Sequence, residues 1–310
     1  MEELTLLGER AVQAKYELQR MTTEKKNEVL EAVAEALIQN TEYLLLENQK
    51  DLERGIANQM NPGLVDRLRL TKERIAGMAE GIRQIVKLPD PVGEILDDYE
   101  AENGLHIVKK RVPMGVIGII YESRPNVTAD AFGLCFKSGS AVILKGGSDA
   151  IQSNMAITKV IQEALSDKSV DPYVIQLIES TDRSVVNEFM KMKQYVDLLI
   201  PRGGAGLIRN VVENSLIPVI ETGTGNCHVY VDEYADLDMA VDIIRNAKTQ
   251  RIGVCNACES IVVHRAVAKE FLPKLYVALK EYDVQMRGDD AAVEYLGTEK
   301  PLVTKATEED

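Results

Sequence analysis

Short apolar, β-branched runs alternate with amphipathic stretches from about residue 116 to 221, and this alternation constrains the fold more than any other feature of the 310-residue chain. The runs cover 116–121, 141–144, 174–177, 196–200 and 218–221; the stretches between them, 127–137, 151–165, 184–192 and 205–212, carry helical periodicity. A strand that is apolar along its whole length is buried on both faces, and helical crossovers between such strands make them parallel. The pattern predicts an α/β fold built on a doubly wound parallel sheet.

The flanks read differently. From residue 2 to 88 apolar positions such as Val29, Leu30, Val33 and Leu37 recur at three and four, and Asn61-Pro62-Gly63 and Asp90-Pro91-Val92-Gly93 break the segment into several helices. Residues 105–112 alternate, as an edge strand or hairpin arm would. A second unit is expected to begin near Gly225, with strands at 227–231 and 260–264, helices at 237–249 and 266–281, and a polar end, 304–310, without an element of its own. The domains expected are therefore 1–224 and 225–310.

Composition then removes function classes. Acidic residues outnumber basic ones 49 to 36, leaving a formal charge of −13 that repels phosphate backbones, and no dense basic stripe reverses it locally. Trp is absent and aromatics reach 5%, too few for a base-stacking or sugar-stacking platform. No apolar run approaches the roughly 20 residues that a bilayer requires. The acidic start Met1-Glu2-Glu3-Leu4 is unlike a signal peptide, and four unevenly spaced cysteines are not a disulfide framework, so a reducing cytoplasmic setting is expected.

Ligands of doubly wound sheets bind beyond the carboxyl ends of the strands. Three turns there are rich in polar residues or glycine: Tyr121-Glu122-Ser123-Arg124-Pro125-Asn126, Lys145-Gly146-Gly147-Ser148, and Pro201-Arg202-Gly203-Gly204. Repeated along one sheet, they point to a nucleotide site, although the G-x-G-x-x-G fingerprint is missing. Cys255 and Cys258 form a C-x-x-C pair, with Cys227, His228 and His264 as conceivable further zinc ligands. Their spacing lacks a second close-set pair, and His228 next to Cys227 on a strand faces the other way, so no metal is expected. Cys255 lies in a glycine-bearing loop four residues after Arg251, a setting that suits a nucleophilic thiolate. Cys135, inside an apolar helix, reads as a small buried hydrophobe.

The stretches 116–130, 141–148, 221–228 and 253–256 resemble the gamma-glutamyl phosphate reductase (glutamate-5-semialdehyde dehydrogenase) branch of the aldehyde dehydrogenase superfamily, over essentially the whole chain. The resemblance implies a cofactor domain followed by an α/β catalytic domain. It also implies NADPH-dependent reduction of L-glutamyl 5-phosphate to glutamate 5-semialdehyde and phosphate, the second step of proline biosynthesis from glutamate. Cys255 matches the catalytic cysteine, with Asn256 beside it. Glu221 falls where aldehyde dehydrogenases keep a general base, which hydride reduction does not need, so a binding or structural role is expected. Lys145 matches the lysine that contacts the adenosine ribose, with Gly146, Gly147, Arg202, Gly203 and Gly204 completing the cofactor turns. Ser148 stands where NAD-preferring relatives often place an acid, which removes repulsion toward a 2′-phosphate. The side-chain oxyanion donor is open among Ser123, Asn126 and Asn256, and Arg124 is either a clamp for substrate carboxylate or phosphate or a structural ion-pair partner. The resemblance further implies a homo-oligomer joined through an arm near 104–112, glutamate 5-kinase as a partner, and a chain that stops inside its catalytic domain.

Overall fold

The computed structural model describes residues 2–122, 124–223, 225–252, 254–297 and 300–308. The chain divides into two compact units, Met1–Gly223 and Thr224–Asp310.

Helix-forming composition and apolar three-to-four spacing give the first unit five N-terminal helices: α1 (Glu2–Leu18), α2 (Thr23–Gln39), α3 (Thr41–Ala57), α4 (Pro62–Leu68) and α5 (Lys72–Lys87). Caps set their starts, since the Thr22, Asn61 and Thr71 side chains accept the backbone N–H groups of Lys25, Gly63 and Arg74. A hairpin follows, β1 (Ile95–Glu100) antiparallel to β2 (His106–Lys110), with every residue of both strands exposed. The arm expected at 105–112 thus has a partner strand that the sequence reading does not contain. Asp97, Asp98 and Glu100 hide its alternation.

The remainder of the unit alternates as the sequence predicts: β3 (Val116–Tyr121), α6 (Asn126–Lys137), β4 (Ala141–Lys145), α7 (Ile151–Asp167), β5 (Ile175–Leu177), α8 (Arg183–Phe189), β6 (Leu198–Arg202) and α9 (Ala205–Asn214). The four strands form a parallel sheet in the order β5-β4-β3-β6. Side chains alternate across it. Ile117, Ile119 and Tyr121 pack with Val33, Ile82, Phe132 and Ile157 of α2, α5, α6 and α7, whereas Val116 and Ile120 pack with Leu4, Phe189 and Val211 of α1, α8 and α9. The run 218–221 does not form a fifth full strand. Val219 alone bridges Leu199, because Pro218 has no N–H to donate and the run lies at the sheet's edge. The order reverses between β3 and β6, so the crevice favoured for ligands opens above Tyr121 and Arg202.

The second unit contains β7 (His228–Val231), α10 (Leu237–Thr249), β8 (Ser260–Val263), α11 (Arg265–Lys280), β9 (Met286–Gly288), α12 (Asp290–Leu296) and β10 (Val303–Lys305). Strands β7 and β8 pair in parallel, as do β9 and β10, around a core that includes Val231, Ile244, Phe271, Leu275 and Leu296. The expectation of a featureless end at 304–310 is corrected: Thr304 and Lys305 belong to β10, paired with Arg287 and Gly288. Their polar side chains conceal a strand held by its backbone. Among the described residues no helix is long and apolar enough to cross a membrane.

Candidate functional site

In the first unit the candidate residues converge on the carboxyl edge of the sheet. Lys145 ends β4 and is 5% exposed, yet among the described residues its ammonium donates only to the carbonyl of Gly146, at 2.8 Å. Burial pulls its pKa below the ordinary lysine value. A buried cation with one neutral partner has capacity left for an oxygen-bearing ligand. Gly146 is required by space: a Cβ there would fall 2.3 Å from the Asn154 amide nitrogen. Asn154 belongs to a buried chain in which Tyr121 Oη meets Thr128 Oγ1 at 2.7 Å, and Thr128 Oγ1 donates to Asn154 Oδ1 at 3.0 Å. Gly147 is half-buried and Ser148 exposed.

Helix α3 fixes where this turn leads. Asp51, wholly buried, accepts Ser153 N–H at 2.8 Å, Ser153 Oγ–H at 2.7 Å and Gln152 N–H at 3.2 Å, capping α7 from a distant helix. Arg54 pairs with Asp51 at 2.7 Å and donates to the Ser148 carbonyl at 2.8 Å. Sequence reading missed both residues. Their signal is a charged pair at i and i+3 on α3, and it does not say where the pair points.

The third turn holds an internal anion. Gly204 N–H donates to Glu122 Oε1 at 2.9 Å, and a Cβ on Gly203 would fall 2.6 Å from Glu122 Cδ. The Glu122 carboxylate therefore caps α9 at the place where the sequence reading puts a cofactor contact. Arg202, Gly203 and Gly204 are all exposed. Both helix N-termini behind the glycine turns thus have carboxylate caps, Asp51 at α7 and Glu122 at α9. This agrees with the missing G-x-G-x-x-G fingerprint, which belongs to sites where a helix N-terminus receives the pyrophosphate. What the turns offer a dinucleotide is the Lys145 cation and open glycine backbone, and those groups fit its ribose hydroxyls and phosphates.

Arg124 follows β3, its backbone N–H donating to the Glu122 carbonyl at 2.7 Å. Asn126 opens α6 and donates to Asp130 at 2.9 Å. Burial raises the Asp130 pKa, with the Asn126 bond acting against it. Ser123 lies outside the described residues. Glu221 is exposed and has no hydrogen bond or ion pair among them.

In the second unit Cys255 and Asn256 are both exposed, on the loop between α10 and β8. Three residues on, Cys258 is 3% exposed; its N–H donates to the Ala247 carbonyl at 3.0 Å, and burial raises its thiol pKa. Cys227 reaches the Cys255 carbonyl through its thiol at 3.4 Å. His264 caps α11, its Nδ1 accepting Ala266 N–H at 3.3 Å, and Cys135 is buried with its pKa pushed up to about 12. Of the four cysteines, Cys255 is the one that is exposed, and access is one condition a thiolate nucleophile needs.

The aldehyde dehydrogenase family model matches residues 2–298. A gamma-glutamyl phosphate reductase of Lachnospira eligens is 60% identical over 294 residues, 95% of this chain and 71% of the relative. One of Agathobacter rectalis is 55% identical over 310 residues, 100% of this chain and 74% of the relative. The crystal structure of gamma-glutamyl phosphate reductase from Thermotoga maritima superposes with a TM-score of 0.87 at 44% identity, covering 99% of this chain and 73% of that one. By sequence and by fold, the chain belongs to the aldehyde dehydrogenase family of oxidoreductases, in the branch formed by the gamma-glutamyl phosphate reductases.

Proposed function

We propose that the chain reduces L-glutamyl 5-phosphate to L-glutamate 5-semialdehyde and phosphate with NADPH, through a thioester on Cys255, in cytoplasmic proline biosynthesis. The observation that carries the reading is the exposed Cys255 in a chain 60% and 55% identical to two gamma-glutamyl phosphate reductases. The Cys255 thiolate attacks the acyl phosphate carbonyl, a C–S bond forms, and the C–O bond to phosphate breaks. The developing oxyanion is met by the Cys255 backbone N–H, with the side chain of Ser123, Asn126 or Asn256 as a further donor. NADPH, when bound, supplies the hydride that brings the thioester carbon to the aldehyde level. The Cys255 sulfur then leaves as thiolate, ready for another turnover.

Lys145 holds the adenosine ribose of the cofactor, and the neutral Ser148 spares a 2′-phosphate from repulsion. Gly146, Gly147, Arg202, Gly203 and Gly204 complete the cofactor contacts of the two turns. Arg124 clamps the substrate carboxylate or the departing phosphate. Glu221 serves binding rather than general base catalysis, since no water has to be activated. The domains take the boundaries 1–224 and 225–310. The hairpin, exposed on both faces, joins a second copy of the chain, because a two-stranded ribbon needs a partner surface. A kinase, glutamate 5-kinase, supplies the acyl phosphate.

The test is the reverse reaction, with glutamate 5-semialdehyde, NADP and inorganic phosphate. Aldehyde oxidation that requires phosphate and disappears in Cys255→Ala is expected. Carboxylate formed without phosphate would overturn the reading in favour of an ordinary aldehyde dehydrogenase.

A further inference from the structure

One charged side chain reaches the turn 145–148 from outside the sheet, and the roles assigned above leave it unused. Arg54, on α3, spends a single nitrogen on three acceptors: Nη2 donates to Asp51 Oδ1 at 2.7 Å, to the Ser148 carbonyl at 2.8 Å and to the Asp149 carbonyl at 3.1 Å. Its Nε and Nη1 have no hydrogen bond among the described residues, and the side chain is 41% exposed. An exposed arginine alone names no ligand, but Arg54 differs in being already fixed. A buried carboxylate and two backbone carbonyls hold its far end, so the rotamer freedom that a flexible arginine gives up on binding is gone beforehand. Nor does Asp51 cancel its charge outright, because that wholly buried carboxylate also accepts the Ser153 N–H and hydroxyl and the Gln152 N–H.

The turn it grips gives this cation a use, on the reading that the cofactor is NADPH. Neutral Ser148 removes repulsion toward a 2′-phosphate but adds no attraction, and the chain as a whole carries a formal charge of −13. Selecting a group with about two negative charges calls for a cation beside it, and a weakly hydrated, permanently charged guanidinium suits phosphate. Lys145 lies buried at the strand end, where the reading places the ribose. Arg54 is the cation bonded to Ser148 itself. The neighbouring acid, Asp149, is half-buried and already engaged.

We propose that Arg54 selects NADPH over NADH, donating its unused N–H groups to the 2′-phosphate while Nη2 holds the turn in place. The proposal rests on the NADPH reading, and its test separates the two. Calorimetry of the full chain with 2′,5′-ADP and 5′-AMP compares the adenosine half of the cofactor with and without the 2′-phosphate, and needs no turnover. The parent should bind 2′,5′-ADP about tenfold or more tightly than 5′-AMP, the worth of a charged hydrogen bond. Arg54→Met should cut this preference to about twofold with 5′-AMP binding unchanged, and Arg54→Lys, which keeps the charge, should fall between. Because Arg54→Met leaves buried Asp51 without its counter-charge, a second measurement uses the parent alone. Phenylglyoxal modification of Arg54, mapped by peptide mass, should be blocked by 2′,5′-ADP and not by 5′-AMP at equal occupancy. The proposal is overturned if folded Arg54→Met keeps the preference, if it weakens both nucleotides alike as a purely structural strut would, or if both protect Arg54 equally. A parent without any preference overturns the NADPH reading itself, and the proposal with it.

Discussion

The two units keep their polar groups in opposite places. Among the described residues every buried polar or charged side chain belongs to the first unit, from Lys26 and Asp51 to Asn154 and Gln176. The ion pairs of the second unit, Arg245 with Asp242, Lys274 with Asp238 and Glu270, and Lys305 with Asp290, all lie at the surface. Its core is apolar, and Cys255, the nucleophile proposed above, is exposed. Directional bonds within the protein therefore set the glycine turns of the first unit, whereas the second unit carries Cys255 on a loop beside an apolar core. Buried polar bonds cost desolvation but specify geometry, which a turn proposed to hold a cofactor needs more than an exposed thiol does.

The sharpest way to break this comparison is at the thiol. Cys255→Ala should lower turnover by about a thousandfold or more. Its circular dichroism and melting temperature should stay close to those of the parent, because the exposed side chain supports no packing. Cys258→Ala should do the reverse, leaving most activity and lowering the melting temperature. Equal loss of activity in both variants would mean that the second unit also depends on its interior.

The next largest effect belongs to the buried charges of the first unit. Lys26 and Asp90 are 2.9 Å apart with side chains 1% and 8% exposed, and Thr23 also donates to Asp90. Asp90→Asn leaves Lys26 buried without its counter-charge and should cost about 3 kcal/mol in denaturant unfolding. For Asp90, burial raises the pKa, but Lys26, the Val92 N–H and Thr23 together hold it below the ordinary carboxylate value. A depressed carboxylate contributes stability above its unfolded pKa and loses it as pH falls through the folded one. The parent should therefore weaken in acid below about pH 4, and the variant should lack that part of the slope. Identical acid slopes in the two proteins would refute the assignment.

Smaller effects refine the cofactor turns. Lys145→Met should weaken NADPH binding by about tenfold, the worth of a charged hydrogen bond, with kcat changed much less than KM. Glu122→Gln removes the carboxylate from the start of α9 and should tighten the cofactor by about threefold if a phosphate competes for that position. Weaker binding in Glu122→Gln would instead make Glu122 a ligand contact.

Much of the fold could be read from the sequence because its signals are local. The expected helix 237–249 is α10, Leu237–Thr249, and the turns at Lys145 and Arg202 end strands as their positions implied. Elements β9, α12 and β10 escaped because they are short, and β1 because it carries acids where alternation would show. The contrast between Cys255 and Cys258 was only half legible. Spacing singled out the loop, but which thiol is buried depends on the bond from Cys258 N–H to Ala247 on the preceding helix.

By itself the sequence determined the parallel sheet, the helical N-terminal region and the strand-end turns, since period, composition and turn residues are properties of neighbouring positions. Only the tertiary structure decided that Asp51 caps a helix 102 residues away, that Glu122 closes a turn 82 residues on, and that Lys26 meets Asp90 across 64. Such pairs form only when separate elements pack against each other, so no periodicity announces them, and the geometry of the two glycine turns depends on two of the three.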